Sequence, residues 1–458
     1  MNRAHQRPKV RCFRHLFAIK LNKTSFRYGM NVANAMPLKA GSSMYSFVIL
    51  MLLVSSCQVV KADFILTMGG DINLAKDERD PESPVYSAPD VLARLPQQPR
   101  SVRLAVQAQA VFKKLLTGDI NFGNLETVVS SDRNLTDYDK KFTFMTHPEV
   151  VDILADYGFN LFSTANNHVF DFGESGAADT LRNLAELKES IERKSMLNGR
   201  PGKSLYHAGL AGNIDEATEP LIIEIEGITI AFAAIGFGGV STGSDEGSIL
   251  RNNPGIVAMH NKALVNKLLQ NMAHSNANLK ILSIHNGTEG VFELDKGQRA
   301  RYHDYLNRGD LDLIIGHHPH VVRPVENVNG KLIFYSLGNY FMTGAASRDN
   351  ESVRGNYGLF SRVYFEKRPD QNRINGFRLV TEAAELIPLT HMHANLNIKS
   401  SAEAMANLSD LQQLSSEQLG NQALPFTLRE QGVGVYCGPQ VLGSRAQSLC
   451  SAEGSWPH

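Results

Sequence analysis

The chain reads as an α/β protein. Apolar runs of strand length alternate with segments of helical spacing. Several of those runs end in carboxylate, amide or imidazole groups, and the carboxyl ends of strands in an α/β sheet are where ligands collect. The sharpest case is Leu313-Ile314-Ile315-Gly316-His317-His318-Pro319-His320-Val321. An apolar strand meets a glycine, where the backbone can turn without a clashing side chain, and then three imidazoles within four residues. His318 and His320 stand two apart, which in an extended segment aims them the same way. The run Leu332-Ile333-Phe334-Tyr335-Ser336-Leu337-Gly338-Asn339 repeats the form and brings Ser336 and Asn339 to its polar end.

The remaining elements follow in order. Residues 64–68 form a strand that ends in Gly69-Gly70-Asp71-Ile72-Asn73. Residues 75–100 carry five prolines and read as a long loop over the site. Residues 102–116 have helical spacing, and 118–126 form a second strand with Asn124 and Glu126 two apart. A helix over 148–157 closes at Gly158. A third strand over 159–165 ends in Asn166, Asn167, His168 and Asp171 before a helix from 175 to about 194. Two strands over 221–226 and 228–235 flank Gly227, and 236–247 is a Gly/Ser-rich loop. A helix over 257–274 leads to a strand over 279–284 that ends in His285 and, four residues on, Glu289. A helix over 297–308 precedes the histidine-rich stretch. Residues 362–365 and 376–387 add strands, 400–420 form an amphipathic helix, and the tail beyond is loop-rich.

Composition is that of a globular protein of one large or two ordinary domains: 458 residues, 43% hydrophobic and 20% charged. The charge is uneven. Residues 1–62 hold ten Lys or Arg and no Asp or Glu, which leaves the remainder with 36 basic against 46 acidic residues. A body that acidic argues against nucleic acid as the main partner. Residues 46–54 form an apolar core too short to span a bilayer, preceded by a basic region and followed by Val54-Ser55-Ser56-Cys57. This is a secretory pattern. Lipidation at Cys57 and cleavage after Ala62 are both open, as are an uncleaved anchor, an organelle presequence, and a true start at Met30, Met36 or Met44. The expected organisation is a leader over 1–62, a body over 63–387 and a tail over 388–458. The mature protein is expected outside the cytoplasm, periplasmic or anchored at the cell envelope, touching membrane only through the leader or a lipid on Cys57. Cys437 and Cys450 in the tail could pair as a disulfide or remain two thiols.

Asp71, Glu126, Asn167, His168, His285, His318 and His320 all follow apolar strands. Mixed oxygen and imidazole ligands suit Mn, Fe or Zn, and without clustered cysteines a structural zinc site is disfavoured. Two such ions about 4 Å apart activate water and clamp a transferring phosphoryl group, and a spare imidazole serves as general acid. No Walker loop occurs, so nucleotide-driven chemistry lacks support.

Taken together and in order, Gly70-Asp71, Asn124-Leu125-Glu126, Ala165-Asn166-Asn167-His168 with Asp171 and Gly173, His285-x-Gly-x-Glu289, Gly316-His317-His318-Pro319-His320 and Tyr335-Ser336-Leu337-Gly338-Asn339 resemble the CapA/PgsA family, named for capsule and poly-γ-glutamate biosynthesis. The resemblance covers roughly residues 63–345. It implies a calcineurin-like metallophosphoesterase fold, a four-layer α-β-β-α sandwich, with divalent metal ions, up to two. It implies Asp71, Glu126, Asn167, His285, His318 and His320 as metal ligands, and His168 and Asp171 as the catalytic pair. Asn73, Asn124, Asn166, Glu289, His317, Ser336 and Asn339 would support the site or bind substrate. The implied partners are an anionic polymer or a phosphoester and membrane synthase subunits. Three departures stand out: Asn73 replaces the first motif's histidine, Asn124-Leu125-Glu126 replaces a bridging aspartate, and Asn286 replaces a tryptophan.

Mass spectrometry of the native N-terminus tests the leader. The expected outcome is a lipidated Cys57 or a start at Asp63; an intact Met1 in the cytosol would contradict it.

Overall fold

A computed structural model describes residues 63–74, 100–136, 140, 142–199, 202–237, 253–342, 354–393 and 396–451. The leader over 1–62 with Cys57, nearly all of the proline-rich loop over 75–100 and most of the Gly/Ser-rich loop over 236–247 lie outside the described residues. Among the described residues no helix is long and apolar enough to cross a membrane.

The chain runs β1 (Phe64–Asn73), α1 (Arg100–Gln107), α2 (Gln109–Leu115), β2 (Ile120–Leu125), β3 (Val128–Val129), β4 (Met145–Thr146), α3 (Pro148–Tyr157), β5 (Leu161–Ser163), α4 (Gly173–Leu197), β6 (Tyr206–Ala208), α5 (Ile214–Thr218), β7 (Leu221–Ile225) and β8 (Ile228–Gly236). It continues through α6 (Lys262–His274), β9 (Leu279–His285), α7 (Gln298–Arg308), β10 (Leu313–His317), β11 (Val325–Val328), β12 (Lys331–Phe334), β13 (Asn339–Met342), β14 (Gly358–Pro369) and β15 (Phe377–Thr390). It ends with β16 (Asn397–Ile398), α8 (Ser401–Leu419), β17 (Thr427–Arg429), β18 (Val433–Cys437) and α9 (Ser444–Cys450). Helix α3 matches its expected bounds because its punctuation is local. Pro148 sits in the first turn, the His147 side chain accepts from Glu149 N–H, and Gly158 (φ 128°) stops it. The single helix expected over 102–116 is instead two, split at Ala108, whose N–H is shared between Leu104 O and Ala105 O.

Two large sheets carry the fold. The larger runs β17-β18-β15-β14-β1-β2-β5-β6, with β13 added beside β1 and β16 beside β15. The smaller runs β11-β12-β10-β9-β8-β7. In the larger, β1, β2, β5 and β6 are mutually parallel; in the smaller, β8, β9, β10 and β12 are. Alternation along the strands explains the packing. Leu313 and Ile315 of β10, Ile281 of β9 and Phe334 of β12 join Leu66, Met68, Phe122 and Leu161 of the larger sheet in one core. Ile314, Leu282 and Ile333, on the opposite face, pack with Leu268, Met272, Tyr302 and Leu306 of α6 and α7. Ile72 and Phe162 pack with Phe112, Val151, Leu154 and Leu184 of α2, α3 and α4.

The tail is more ordered than its composition suggests. Strands β17 and β18 extend the larger sheet through β15. Cys437 and Cys450 form the disulfide, tying α9 to the end of β18. Asp63, at the head of β1, accepts from Arg445 N–H and Ala446 N–H in the first turn of α9 (2.7 and 2.9 Å).

Gly70 allows the close approach on which the carboxyl end of β1 depends. A Cβ there would lie 1.7 Å from Gly338 O, the same carbonyl that accepts from Asp71 N–H. Gly70→Ala is expected to cost about 1–3 kcal/mol or more by overpacking, read from urea unfolding. A variant of unchanged stability would contradict this contact.

Candidate functional site

The site forms where the parallel strands of both sheets end. On β1, Asp71 stands in register with Asn124 of β2 and Asn339 of β13. Glu126 follows β2, and β5 leads into Asn166-Asn167-His168. In the smaller sheet His285 and His317 are paired neighbours on β9 and β10. The expectation of an extended segment after β10 is wrong. His318 (φ 96°) and His320 (φ 56°) both lie in the left-handed region, so the chain coils around Pro319 and the two rings converge by that coil, not by strand alternation. Nor does Gly316 make the turn. It sits inside β10, where a Cβ would lie 2.2 Å from Tyr335 O, and so permits close packing against the chain leaving β12.

Glu126 is the centre. Its carboxylate is fully buried, and no described residue donates a hydrogen bond to either oxygen. Oε1 lies 3.5 Å from His285 Nε2, 3.8 Å from His320 Nε2 and 3.8 Å from His168 Nε2. On one side, His285 Nε2 meets Asn167 Oδ1 (2.8 Å) and His318 Nδ1 (3.2 Å). On the other, His320 Nδ1 lies 3.3 Å from Asp71 Oδ2 and bonds Asn339 Oδ1 at 2.9 Å. Asn124 bridges the two sides, donating to Asp71 Oδ1 (2.8 Å) and meeting His285 Nδ1 at 3.1 Å. His317 packs its buried ring 3.4 Å from Asp71 Oδ1.

His168 and Asp171 form a pair beside this cluster. His168 Nδ1 contacts Asp171 Oδ2 at 2.6 Å, which leaves Nε2 facing Glu126. Asp171 itself is spent on others: it accepts from Phe144 N–H at 2.7 Å and from Lys140 Nζ at 2.5 Å. It therefore holds His168 in place. Phe144 stacks on the His168 ring at 3.9 Å. Lys140, which also donates to Asn167 O (2.8 Å), escaped the sequence reading. It comes from a polar loop with no strand or motif to mark it.

The supporting residues divide. Asn166 is structural, donating to Leu125 O and accepting from His168 N–H. Ser336 likewise donates to Val321 O and accepts from Gly338 N–H. Asn73 is buried beside Met342 of β13. Glu289 is exposed at the mouth, near His318 and His320. The Phe237 ring, half-exposed, lies 5.8 Å from that of His318.

The electrostatics follow from burial. Desolvation and the Asp71 charge push the Glu126 carboxyl well above the usual range. Burial would raise Asp71 as well, but His317 and His320 hold it well below. Burial and the His318 charge lower His285, and burial and the His320 charge lower His318 to about 4. His320 resists its burial and rises to about 9 under Glu126 and Asp71. Burial lowers His168 against the pull of Asp171. Three triads could each hold a cation, with one ligand atom per residue and all atoms within 4.8 Å: Glu126-His285-His318, Asp71-Glu126-His320 and Glu289-His318-His320. An orphaned buried carboxylate ringed by imidazoles fits an oxygen-and-nitrogen divalent centre.

A family model described as bacterial capsule synthesis protein PGA_cap matches residues 66–343. The chain belongs to that family. It is 29% identical over 239 residues to the PGA biosynthesis protein CapA of Bacillus subtilis, covering 52% of this chain and 57% of the relative. It is 25% identical over 253 residues to the capsule biosynthesis protein CapA of Bacillus anthracis, covering 54% and 56%. The chain thus spans little more than half the length of these relatives. A putative 5'-nucleotidase structure from Staphylococcus aureus, in complex with alpha-ketoglutarate, aligns at TM-score 0.36 and 13% identity, covering 71% of this chain and 54% of that one.

Asp171→Asn should disturb the imidazole it orients. Ring 15N NMR is expected to show His168 protonated at Nδ1 in the native protein and shifted toward the other tautomer in the variant. Identical ring spectra would contradict the pairing.

Proposed function

We propose that the chain is an exported metal-dependent hydrolase of capsule or poly-γ-glutamate biosynthesis, cleaving a phosphoester or an amide bond of an anionic polymer. The observation that carries the proposal is Glu126, a fully buried carboxylate without a hydrogen-bond donor among the described residues, shared between two ligand triads. The fold proposed for it is the four-layer α-β-β-α sandwich of the calcineurin-like metallophosphoesterases. The shared core between the sheets and the helices packed on their other faces support this. The names of the relatives support the biosynthetic setting.

Asn167, His285 and His318 would hold one ion, Asp71 and His320 another, and Glu126 both. Divalent ions of the Mn, Fe or Zn class would supply charge stabilisation at the transferring centre and lower the pKa of water. Asn124 ties the two halves by its bonds to Asp71 and His285. Asn339 fixes the His320 ring as an outer partner. Asp171 accepts from His168 Nδ1–H and stabilises the imidazolium, whose Nε2–H would be the proton delivered to the leaving group. Lys140 holds Asp171 and the Asn167 carbonyl in one frame.

A second reading, a non-catalytic surface factor that binds the polymer or its membrane synthase, is favoured by one observation: Asn73 stands where the first motif has histidine. If a His168→Ala, His320→Ala double variant still supports polymer production in the cell, this second reading holds.

His168→Ala is expected to keep its bound metal and to be slower by about 10²–10⁴, measured on a nitrophenyl phosphodiester with added Mn. His318→Ala is expected to lose metal and activity together. Equal metal loss in both variants would make His168 a ligand and overturn its role as acid.

A further inference from the structure

Between β9 and α7 the chain has neither helix nor strand, yet its backbone is held at many points. Asn286 N–H donates to His317 O and Gly290 N–H to Pro319 O, so the loop is laced to the coil that carries His318 and His320. Arg323 holds it from behind. This arginine is fully buried, and its guanidinium donates to Thr288 O (3.0 Å), Val291 O (2.8 Å), Asp295 Oδ2 (3.1 Å) and Gln298 Oε1 (3.0 Å). Asp295 in turn accepts from Thr288 N–H and Thr288 Oγ1. Gly287 (φ 141°) lets the loop lie on the guanidinium: a Cβ there would sit 2.7 Å from Arg323 Nη1. The two carbonyls that Arg323 grips flank Glu289.

A buried arginine is costly unless its donors are satisfied, and here two of its bonds bracket one exposed carboxylate. That carboxylate shares a 4.8 Å ligand cluster with His318 and His320. We propose that Glu289 is an outer metal ligand which, with His318 and His320, makes a third, solvent-facing position for a divalent cation, and that Arg323 positions it. This rests on the metal centre proposed above. His318 also belongs to the triad with Glu126 and His285, and His320 to the triad with Asp71 and Glu126. The outer position therefore competes with both inner ones for a ring, so an ion held there is in transit. Glu289 is the point through which ions enter and leave.

The test uses Mn2+ alone on the full chain. Stopped-flow uptake and chelator-driven release are measured for the native protein, Glu289→Gln, Arg323→Lys and Glu126→Gln, with thermal unfolding as the check on folding. Glu289→Gln is expected to slow uptake and release by the same factor, about tenfold, the lower end of what a charged approach contributes to an on-rate, while the final Mn content stays native. Arg323→Lys, if folded, is expected to reproduce that slowing. Native kinetics in Glu289→Gln would overturn the outer ligand, and native kinetics in a folded Arg323→Lys would overturn the clamp. If Arg323→Lys does not fold, Glu289→Gln alone decides. Glu126→Gln separates the two levels: native Mn content there would sink the metal centre itself, whereas its loss beside an unaffected Glu289→Gln would sink only the outer position.

Discussion

The fold is arranged around a carboxylate that has no business being charged where it is. Glu126 is fully buried, and no described residue donates a hydrogen bond to it. An ion in that position costs several kcal/mol unless opposite charge and hydrogen bonds offset it. Here the surroundings are the imidazoles of His285, His320 and His168 at 3.5–3.8 Å, His320 raised to about 9 by the neighbouring carboxylates and the other two lowered by burial. Cations with oxygen and imidazole ligands would relieve that conflict. The requirement also explains the architecture. One sheet supplies Asp71, Glu126, Asn167 and His168 from its strand ends, the other supplies His285, His317, His318 and His320, and neither sheet holds the whole set.

Bringing the two strand-end sets together takes backbone that ordinary sequences avoid. His318 and His320 both have positive φ, a conformation that costs about 1–3 kcal/mol per non-glycine residue and survives where the surroundings over-determine it. The surroundings do so here. Ser336 pins Val321 O, Gly290 N–H pins Pro319 O, and Gly316 lets Tyr335 O come within what would be Cβ distance. The strain is held by one main-chain bond, one serine hydroxyl and one close backbone contact, so the rings are placed by a braced backbone.

The strand ends were legible in the sequence because burial on both faces leaves long apolar runs, and polar residues at their ends interrupt those runs sharply. The 148–157 helix was legible because Pro148 and Gly158 mark its ends. Other features left no local trace. The break at Ala108 is a shift of hydrogen-bond partner within a continuous helical pattern. Strands β17 and β18 are only three and five residues long, so they read as loop until β15 is there to pair with β18. Lys140 and Arg323 act through contacts with residues 25 to 35 positions away in the chain, which no spacing rule reports. The coil at His318-Pro319-His320 was misread because the i, i+2 rule holds only for extended backbone.

The central claim is that Glu126 is shared by two cations. Anomalous diffraction from crystals soaked in Mn2+ tests it most directly. Two peaks about 4 Å apart, both against Glu126, with Asn167, His285 and His318 around one and Asp71 and His320 around the other, are the predicted result. A density map without ions at saturating Mn2+, or ions bound with the Glu126 carboxylate outside their coordination shells, would contradict it.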